Sequence, residues 1–378
     1  MRKLAVLFGG GGCENEISVL TGVFVMNVLD REKYEIYPVY LHTDGKTYTS
    51  PKMQDLATFK EGKYADFTRV FFENGNLYAF WENKKKIKKL ARIDVALNCC
   101  HGGFGEGGGV SALMQYNCIP LASPDLTPSG LFLDKCLTKT FMRGLNVPTV
   151  ECIRANEKDY RKRGAFLLKS VASRLKYPVI VKPAHLGSSI GITVAKNEDE
   201  VKKAIETAFS LDDCVLIEKY LKGKTDVNCA VYSVGGETVV SEVEEAFGDG
   251  LYSFDEKYVK RGYNPNDFKA PLSANGGGMY KISKEIRDKI RAYAKTIYKR
   301  ANLKGVVRMD FLVAEDKAYL CEVNTVPGSL AYYFFCERIS DARGFFTELI
   351  EDAVAQSKEE KKKPLTTGIL KTVGFIGK

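Results

Sequence analysis

Apolar residues along this chain come in short runs separated by glycine-rich or polar breaks, and their spacing switches between strand and helix periods. Leu4 to Phe8 is a continuous apolar run, as expected of a strand covered on both faces, and it enters Gly9-Gly10-Gly11-Gly12. Ile17, Leu20, Phe24 and Val28 then recur at helical spacing. A second strand is predicted from Tyr34 to Leu41, where Pro38 argues for an edge or a local break. Val70 to Tyr78 reads as a hairpin turning at Asn74-Gly75, and Ile93 to Leu97 as a buried strand leading into the glycine-rich segment His101 to Gly109.

Farther on, the pattern predicts a helix from Ser129 to Arg143 ended by Gly144, then strands from Pro178 to Val181 and from Ile192 to Ala195. Asn197 and Glu200 mark a helix start. A strand from Val215 to Tyr220, a hairpin at Gly235-Gly236, a long loop from Phe247 to Leu272, and helices from Ser283 to Arg300 and near Phe345 to Lys363 complete the series. The elements divide into an α/β lobe over residues 1–122, a small lobe over 123–212, a larger lobe over 213–363 and a tail over 364–378.

The most informative pattern is a pair of strand-like runs, Val307 to Phe311 and Leu320 to Asn324, joined by the polar turn Glu315-Asp316-Lys317. A hairpin closed there sets Asp310 opposite Glu322 and Arg308 opposite Asn324. Met309, Phe311, Val313, Tyr319, Cys321 and Val323 then share the other face, and an apolar set of that kind pins the register. Two carboxylates and an amide oxygen on one face suit Mg2+, which takes hard oxygen ligands; the alternative is a solvated, charged sheet face.

Composition narrows the options. At 378 residues and 45% hydrophobic, the chain can bury more than one core. Its net charge of +9 owes much to runs such as Lys84 to Lys89 and Lys358 to Lys363, which no aromatic residues interleave, so nucleic acid is not the expected partner. Ten cysteines and three histidines show no C-x-x-C or zinc spacing, which suits free thiols in a reducing compartment. No apolar stretch approaches the ~20 residues that span a bilayer, and no signal-peptide pattern opens the chain, so a cytoplasmic protein without a membrane partner is expected.

Four segments carry candidate chemistry. Glu14 and Glu16 after the first glycine run suit an ordinary helix N-terminus, or else Glu14 meets a substrate ammonium. Lys182 ends a buried strand, and Gly187-Ser188-Ser189 follow in a loop, offering a cation, hydroxyls and backbone N–H groups to phosphate oxygens. Glu218-Lys219-Tyr220-Leu221 at a strand end could hold an adenine, and Lys257-Tyr258 lie in a loop long enough to be an active-site lid.

In this order the motifs resemble the ATP-grasp superfamily, and specifically the D-alanine–D-alanine ligase family, over roughly residues 3 to 350. The resemblance is carried by Gly9-Gly10 with Glu14-Asn15-Glu16-Ile17-Ser18, His101-Gly102 with Gly105-Glu106, Asp134-Lys135, and Lys182-Pro183 with Gly187 to Gly191. It continues through Glu218-Lys219, Glu256-Lys257-Tyr258, Arg308-Met309-Asp310, and Glu322 to Thr325 with Pro327-Gly328. It implies an ATP-grasp fold, with a Rossmann-like parallel-sheet lobe and two α+β lobes clasping ATP. It also implies a homodimer and ligation of two D-alanines for peptidoglycan precursor synthesis.

By the same resemblance Lys135, Lys182, Ser189 and Lys257 would contact phosphates, Glu218, Lys219 and Leu221 the adenine, and Asp226 the ribose. Asp310, Glu322 and Asn324 would hold two Mg2+ ions, with Mn2+ as an alternative. Glu14 would bind the ammonium of the first amino acid, with Ser188 and Tyr258 hydrogen-bonded to it; Arg308 and the backbone of Gly328 would stabilise the oxyanion.

Departures from the family pattern gather around the second substrate. Ser329-Leu330-Ala331-Tyr332-Tyr333-Phe334-Phe335 stands where Met-Thr and a Ser-containing stretch are usual, and Gly107-Gly108-Gly109 replaces Asp-Gly-Thr. Ser329, Tyr333, Phe334 and His101 are therefore the expected acceptor pocket, its aromatic residues being either packing or a sign of a different acceptor. The retained Tyr258 favours an amine acceptor. A ligase with another acceptor and a nucleotide-binding regulator without catalysis are the competing readings.

Overall fold

The computed structural model describes residues 1–62, 64, 66–245, 282–359 and 367–369. The expected lid with Lys257 and Tyr258, the end of the last helix and most of the 364–378 tail lie outside these residues.

The first sheet consists of β1 (Arg2–Gly9), β2 (Tyr34–Leu41), β3 (Thr47–Thr49), β4 (Thr68–Glu73), β5 (Asn76–Trp81), β6 (Lys86–Arg92) and β7 (Val95–Asn98), in the order β6-β5-β4-β3-β2-β1-β7. β1 runs parallel to both β2 and β7. It sends Leu4, Val6 and Phe8 into one core and Ala5 and Leu7 into another, which is why its sequence is continuously apolar. On β2 only Tyr40 and Leu41 pair with β3, so Pro38 lies where β2 has no ladder on that side, consistent with its missing N–H. Asn74 and Gly75 both take positive φ, as a two-residue hairpin turn requires.

The helix after the glycine run, α1 (Asn15–Val28), is buried beyond its predicted face: Val19, Thr21, Val23, Val25 and Met26 are covered too. Leu330, Tyr332, Phe346 and Ile350, from far along the chain, join it in one core. Short helices α2 (Leu56–Lys60) and α3 (Val110–Tyr116) flank the same sheet.

One predicted helix is two. α4 (Leu126–Leu133) and α5 (Lys135–Gly144) break at Asp134, whose backbone is extended and whose carboxylate accepts from the N–H groups of Cys136 and Leu137 at 2.6 and 3.0 Å. The second sheet is antiparallel, in the order β10-β9-β11-β8, from β8 (Cys152–Asn156), β9 (Val179–Pro183), β10 (Thr193–Ala195) and β11 (Cys214–Lys219). α6 (Glu157–Ser170) and α7 (Glu198–Phe209) contribute to its core, and Asn197 caps α7 through Glu200 N–H as expected. The strand expected to open the third lobe, β11, thus sits inside the second sheet.

The third sheet holds β12 (Thr225–Val234), β13 (Glu237–Val240), β14 (Glu244–Glu245), β15 (Val307–Ala314) and β16 (Lys317–Asn324). Its core combines Ile290 and Ile297 of α8 (Lys284–Arg300) with Phe132 and Met142 of α4 and α5. α9 (Ala342–Glu359) returns to the first sheet's core, where Phe346 and Ile350 meet Val25 and Met26.

The β15–β16 hairpin pairs Arg308 with Asn324 and Asp310 with Glu322, as its pattern predicts. A bulge follows: Phe311 pairs with Leu320, leaving Cys321 as the extra residue. The apolar face is therefore Met309, Phe311, Val313, Ala318, Leu320 and Val323, and the expected places of Tyr319 and Cys321 on it are corrected. Cys321 instead turns toward Lys182, with Sγ 3.9 Å from Nζ.

Candidate active site

The polar face of the β15–β16 hairpin lies beside residues from both other sheets. Arg308 donates to Asp310 through Nε at 2.7 Å and through Nη2 at 2.9 Å, a two-point fork. Asn324 Nδ2 donates to the same carboxylate at 3.1 Å, and the Asn228 amide, once its oxygen and nitrogen are exchanged to suit their neighbours, donates to Oδ1 at 3.0 Å. Burial pushes the carboxyl of Glu244, paired with Asn228 across β12, up to about 7, and Arg308 opposes that shift. Asn228 and Glu244 are site residues that sequence reading missed.

Asp310, Glu322 and Asn324 fit a hard divalent cation. Their register places two carboxylates on one strand pair, and the amide of Asn324 already reaches Asp310. The Arg308 fork now supplies positive charge at Asp310, where an incoming cation would compete with it.

Two lysines converge on Glu218, 2.7 Å from each of its oxygens: Lys139 at Oε1 and Lys182 at Oε2. All three side chains are almost wholly buried. Burial raises the Glu218 carboxyl, but the two ammonium groups outweigh it and hold its pKa at about 2. Lys182 is correspondingly pushed up: burial lowers it, and the surrounding anionic groups reverse that. Glu218 was expected at the adenine; with both oxygens on lysines, its carboxylate faces inward instead. Lys139, one turn after Lys135 on α5, was not anticipated.

Lys135 is buried, donating from Nζ to Leu186 O at 2.5 Å with Glu322 Oε2 at 3.7 Å. It thereby joins the predicted phosphate loop to the predicted metal face. Lys219 is exposed, Leu221 is half-buried, and Asp226 is ion-paired with Lys224.

Glu14 sits at the N-terminus of α1, and Ser188 Oγ donates to its Oε1 at 2.5 Å, closing the predicted pair across 174 residues. Ser188 and Ser189 both take positive φ at the loop tip. Gly102 (φ +64°) and Gly187 crowd the Glu14 carboxylate so closely that a Cβ at Gly102 would collide with it. Beside them Glu106 accepts from Gly102 N–H at 2.9 Å and Val326 N–H at 3.2 Å; burial lifts its pKa to about 7.

Two of the expected acceptor residues, Ser329 and His101, meet through Thr21. Thr21 Oγ1 accepts from Ser329 N–H at 3.1 Å and lies 2.9 Å from His101 Nε2. Burial lowers His101 to a pKa of about 4, so at neutral pH it is an uncharged partner. Ser329, Leu330 and Ala331, after Gly328, all have φ near +50°, a strained left-handed turn held by the surrounding core. The aromatic run divides: Tyr332 packs on Phe24 with ring centroids 5.1 Å apart, and Phe335 on Tyr232 at 4.8 Å. Tyr333 is half-buried and feels the charge of Arg308, and its ring centroid lies 4.9 Å from that of Phe334.

Comparison with known proteins identifies the family. Descriptions of the D-ala D-ala ligase N-terminus and C-terminus match residues 3–124 and 141–355. A D-alanine--D-alanine ligase of Thermosipho africanus is 33% identical, with 96% of this chain and 95% of that one aligned. The crystal structure of D-Alanine-D-Alanine Ligase from Helicobacter pylori superposes with a TM-score of 0.74 at 26% identity, over 96% of this chain and 100% of that one. VanG D-Ala:D-Ser ligase from Enterococcus faecalis shares the fold, with a TM-score of 0.71 at 23% identity over 94% and 99% of the two chains. The fold is ATP-grasp, and the chain belongs to the D-alanine–D-alanine ligase family of ATP-dependent ligases.

Proposed function

We propose that this chain makes D-alanyl-D-alanine through an acyl phosphate, as a homodimeric cytoplasmic enzyme of peptidoglycan precursor synthesis. The observation that carries the residue roles is the convergence of Glu14–Ser188, the buried lysines and the Arg308–Asp310 hairpin on one region.

Glu14, held by Ser188, takes the ammonium of the first D-alanine, leaving its carboxylate toward Arg308. Lys135 and Lys182 neutralise and align the ATP phosphates, with Ser189 in the loop and Lys257 from the lid. The backbone of Glu218 and Lys219 with Leu221 borders the adenine, and Asp226 the ribose. Asp310, Glu322 and Asn324 would hold Mg2+, which when bound offsets the phosphate charge. The first carboxylate attacks the γ-phosphate, giving an acyl phosphate and ADP. The amine of the second D-alanine then attacks the acyl carbon and expels phosphate. Arg308 and the Gly328 backbone stabilise the oxyanion formed in between. Tyr258, from the lid, helps exclude water that would hydrolyse the acyl phosphate.

Isotope transfer tests this chemistry. With D-alanine labelled by 18O in its carboxylate, released phosphate should carry one labelled oxygen; unlabelled phosphate would rule out carboxylate phosphorylation.

A second reading keeps activation and changes the acceptor, and Tyr333 beside Arg308 is the observation that favours it. VanG, of the same fold, is a D-Ala:D-Ser ligase. On this reading Tyr333→Ser is expected to shift acceptor preference toward D-alanine in a competition assay read by mass. An unchanged product ratio would make Tyr333 packing alone.

A further inference from the structure

His185 lies within the phosphate loop, yet the ligation chemistry gives it no role. Its backbone N–H donates to Asp212 Oδ2 at 2.8 Å, and its ring Nδ1 lies 2.8 Å from Asp212 Oδ1. One carboxylate thus grips main chain and ring together. On the other ring edge, Nε2 stands 3.5 Å from Asp134 Oδ2. Asp134 is the cap of α5, the helix that carries Lys135 and Lys139. The residues around His185 complete the joint. Lys135 N–H donates to Ala184 O at 3.1 Å, Lys135 Nζ to Leu186 O at 2.5 Å, and Ala184 N–H to Cys214 O at 2.9 Å.

An imidazole between two carboxylates is held best when both nitrogens donate, which requires the cation. The hydrogen bond to Asp212 raises the pKa of His185 above the usual value, burial opposes the rise, and the charges of Asp212, Asp134 and Cys214 add to it. The groups around the ring are Asp212, Asp213 and Cys214 at the head of β11, Asp134 on α5 and Arg154 on β8. Arg154 lies 4.0 Å from Asp134 and donates to Cys214 Sγ at 3.1 Å, so it tempers the negative charge without replacing the bridge.

We propose that His185 is a positioning residue for the nucleotide: its imidazolium bolts the base of the Gly187-Ser188-Ser189 loop to the head of α5, so that Lys135 and the loop face the phosphates together. The assignment rests on the nucleotide reading above. A group with a raised folded pKa contributes fully below its unfolded value, about 6.5, and loses that contribution as pH rises through the folded value.

Calorimetric titration of the full chain with Mg-ADP across that pH window, for wild type, His185→Asn and Asp212→Asn, tests it. At the acid end both variants should bind on the order of tenfold more weakly than wild type, the loss expected for one charge-assisted bridge. At the alkaline end the three affinities should converge. Ionisation of the nucleotide is common to all three proteins, so only the differences report on His185. Asp212→Asn keeps the shape of the joint and carries the test if His185→Asn does not fold. Parallel affinity curves for all three proteins would overturn the role of His185. Absence of nucleotide binding by wild type at every pH would instead overturn the nucleotide reading, and the assignment with it.

Discussion

Arg308→Ala is expected to lower turnover by on the order of 10²–10³ while leaving Mg-ATP binding nearly intact. The guanidinium is held in place by its fork to Asp310, which closes at 2.7 and 2.9 Å. A guanidinium already beside the reacting centre, and freed to turn to substrate as a cation takes its place at Asp310, acts on the chemical step. Arg308→Lys should recover only part of the loss, since a point charge cannot keep two bonds to Asp310 and a third to substrate. Steady-state kinetics with ATP affinity measured separately checks both variants. Unchanged turnover in Arg308→Ala would remove this residue from the oxyanion role; a matching loss of ATP affinity would recast it as a support for Asp310.

The largest stability effect is expected at the Lys139–Glu218–Lys182 triad. Glu218→Gln leaves two buried ammonium groups facing a neutral amide, and breaking a buried ion pair in this way costs about 3–5 kcal/mol. Lys139→Met should cost less, because Glu218 keeps Lys182 at 2.7 Å and the methionine fills much of the lysine stem's volume. The order of the two variants in urea midpoint is therefore the discriminating result. Acid dependence follows with a definite sign. Glu218 is depressed from 4.5 to about 2, so its contribution is complete above pH 4.5 and is lost as pH falls toward 2. Glu218→Gln should lack that share of the acid transition. Equal midpoints for Glu218→Gln and wild type would mean that the triad adds nothing to the fold.

Much of this was legible in the sequence, for identifiable reasons. The Arg308/Asn324 and Asp310/Glu322 pairs followed from strand period and turn position, and the Asn74-Gly75 and Gly235-Gly236 turns from their chemistry. The bulge at Cys321 was not legible, because Ala318 and Leu320 are as apolar as Tyr319 and Cys321. Either pair satisfies the alternation, and only the packed core chooses between them. Asp134 did carry a signal: a capping residue set within an otherwise helical run, which a continuous reading of Ser129 to Arg143 passed over. Lys139 carried none, since a lysine one turn from another reads as solvated until Glu218, 79 residues on, is found between it and Lys182. The covering of α1 by Leu330, Tyr332 and Phe346 was hidden for the same reason, since residues three hundred positions apart share no local pattern.

The most direct test of the central claim is phosphate release from Mg-ATP with single and paired D- and L-amino acids, with products identified by mass. D-alanine alone should sustain phosphate release, with D-alanyl-D-alanine as the dominant product. Robust release with a different pair and little D-alanyl-D-alanine, or nucleotide binding without release in any mixture, would contradict it.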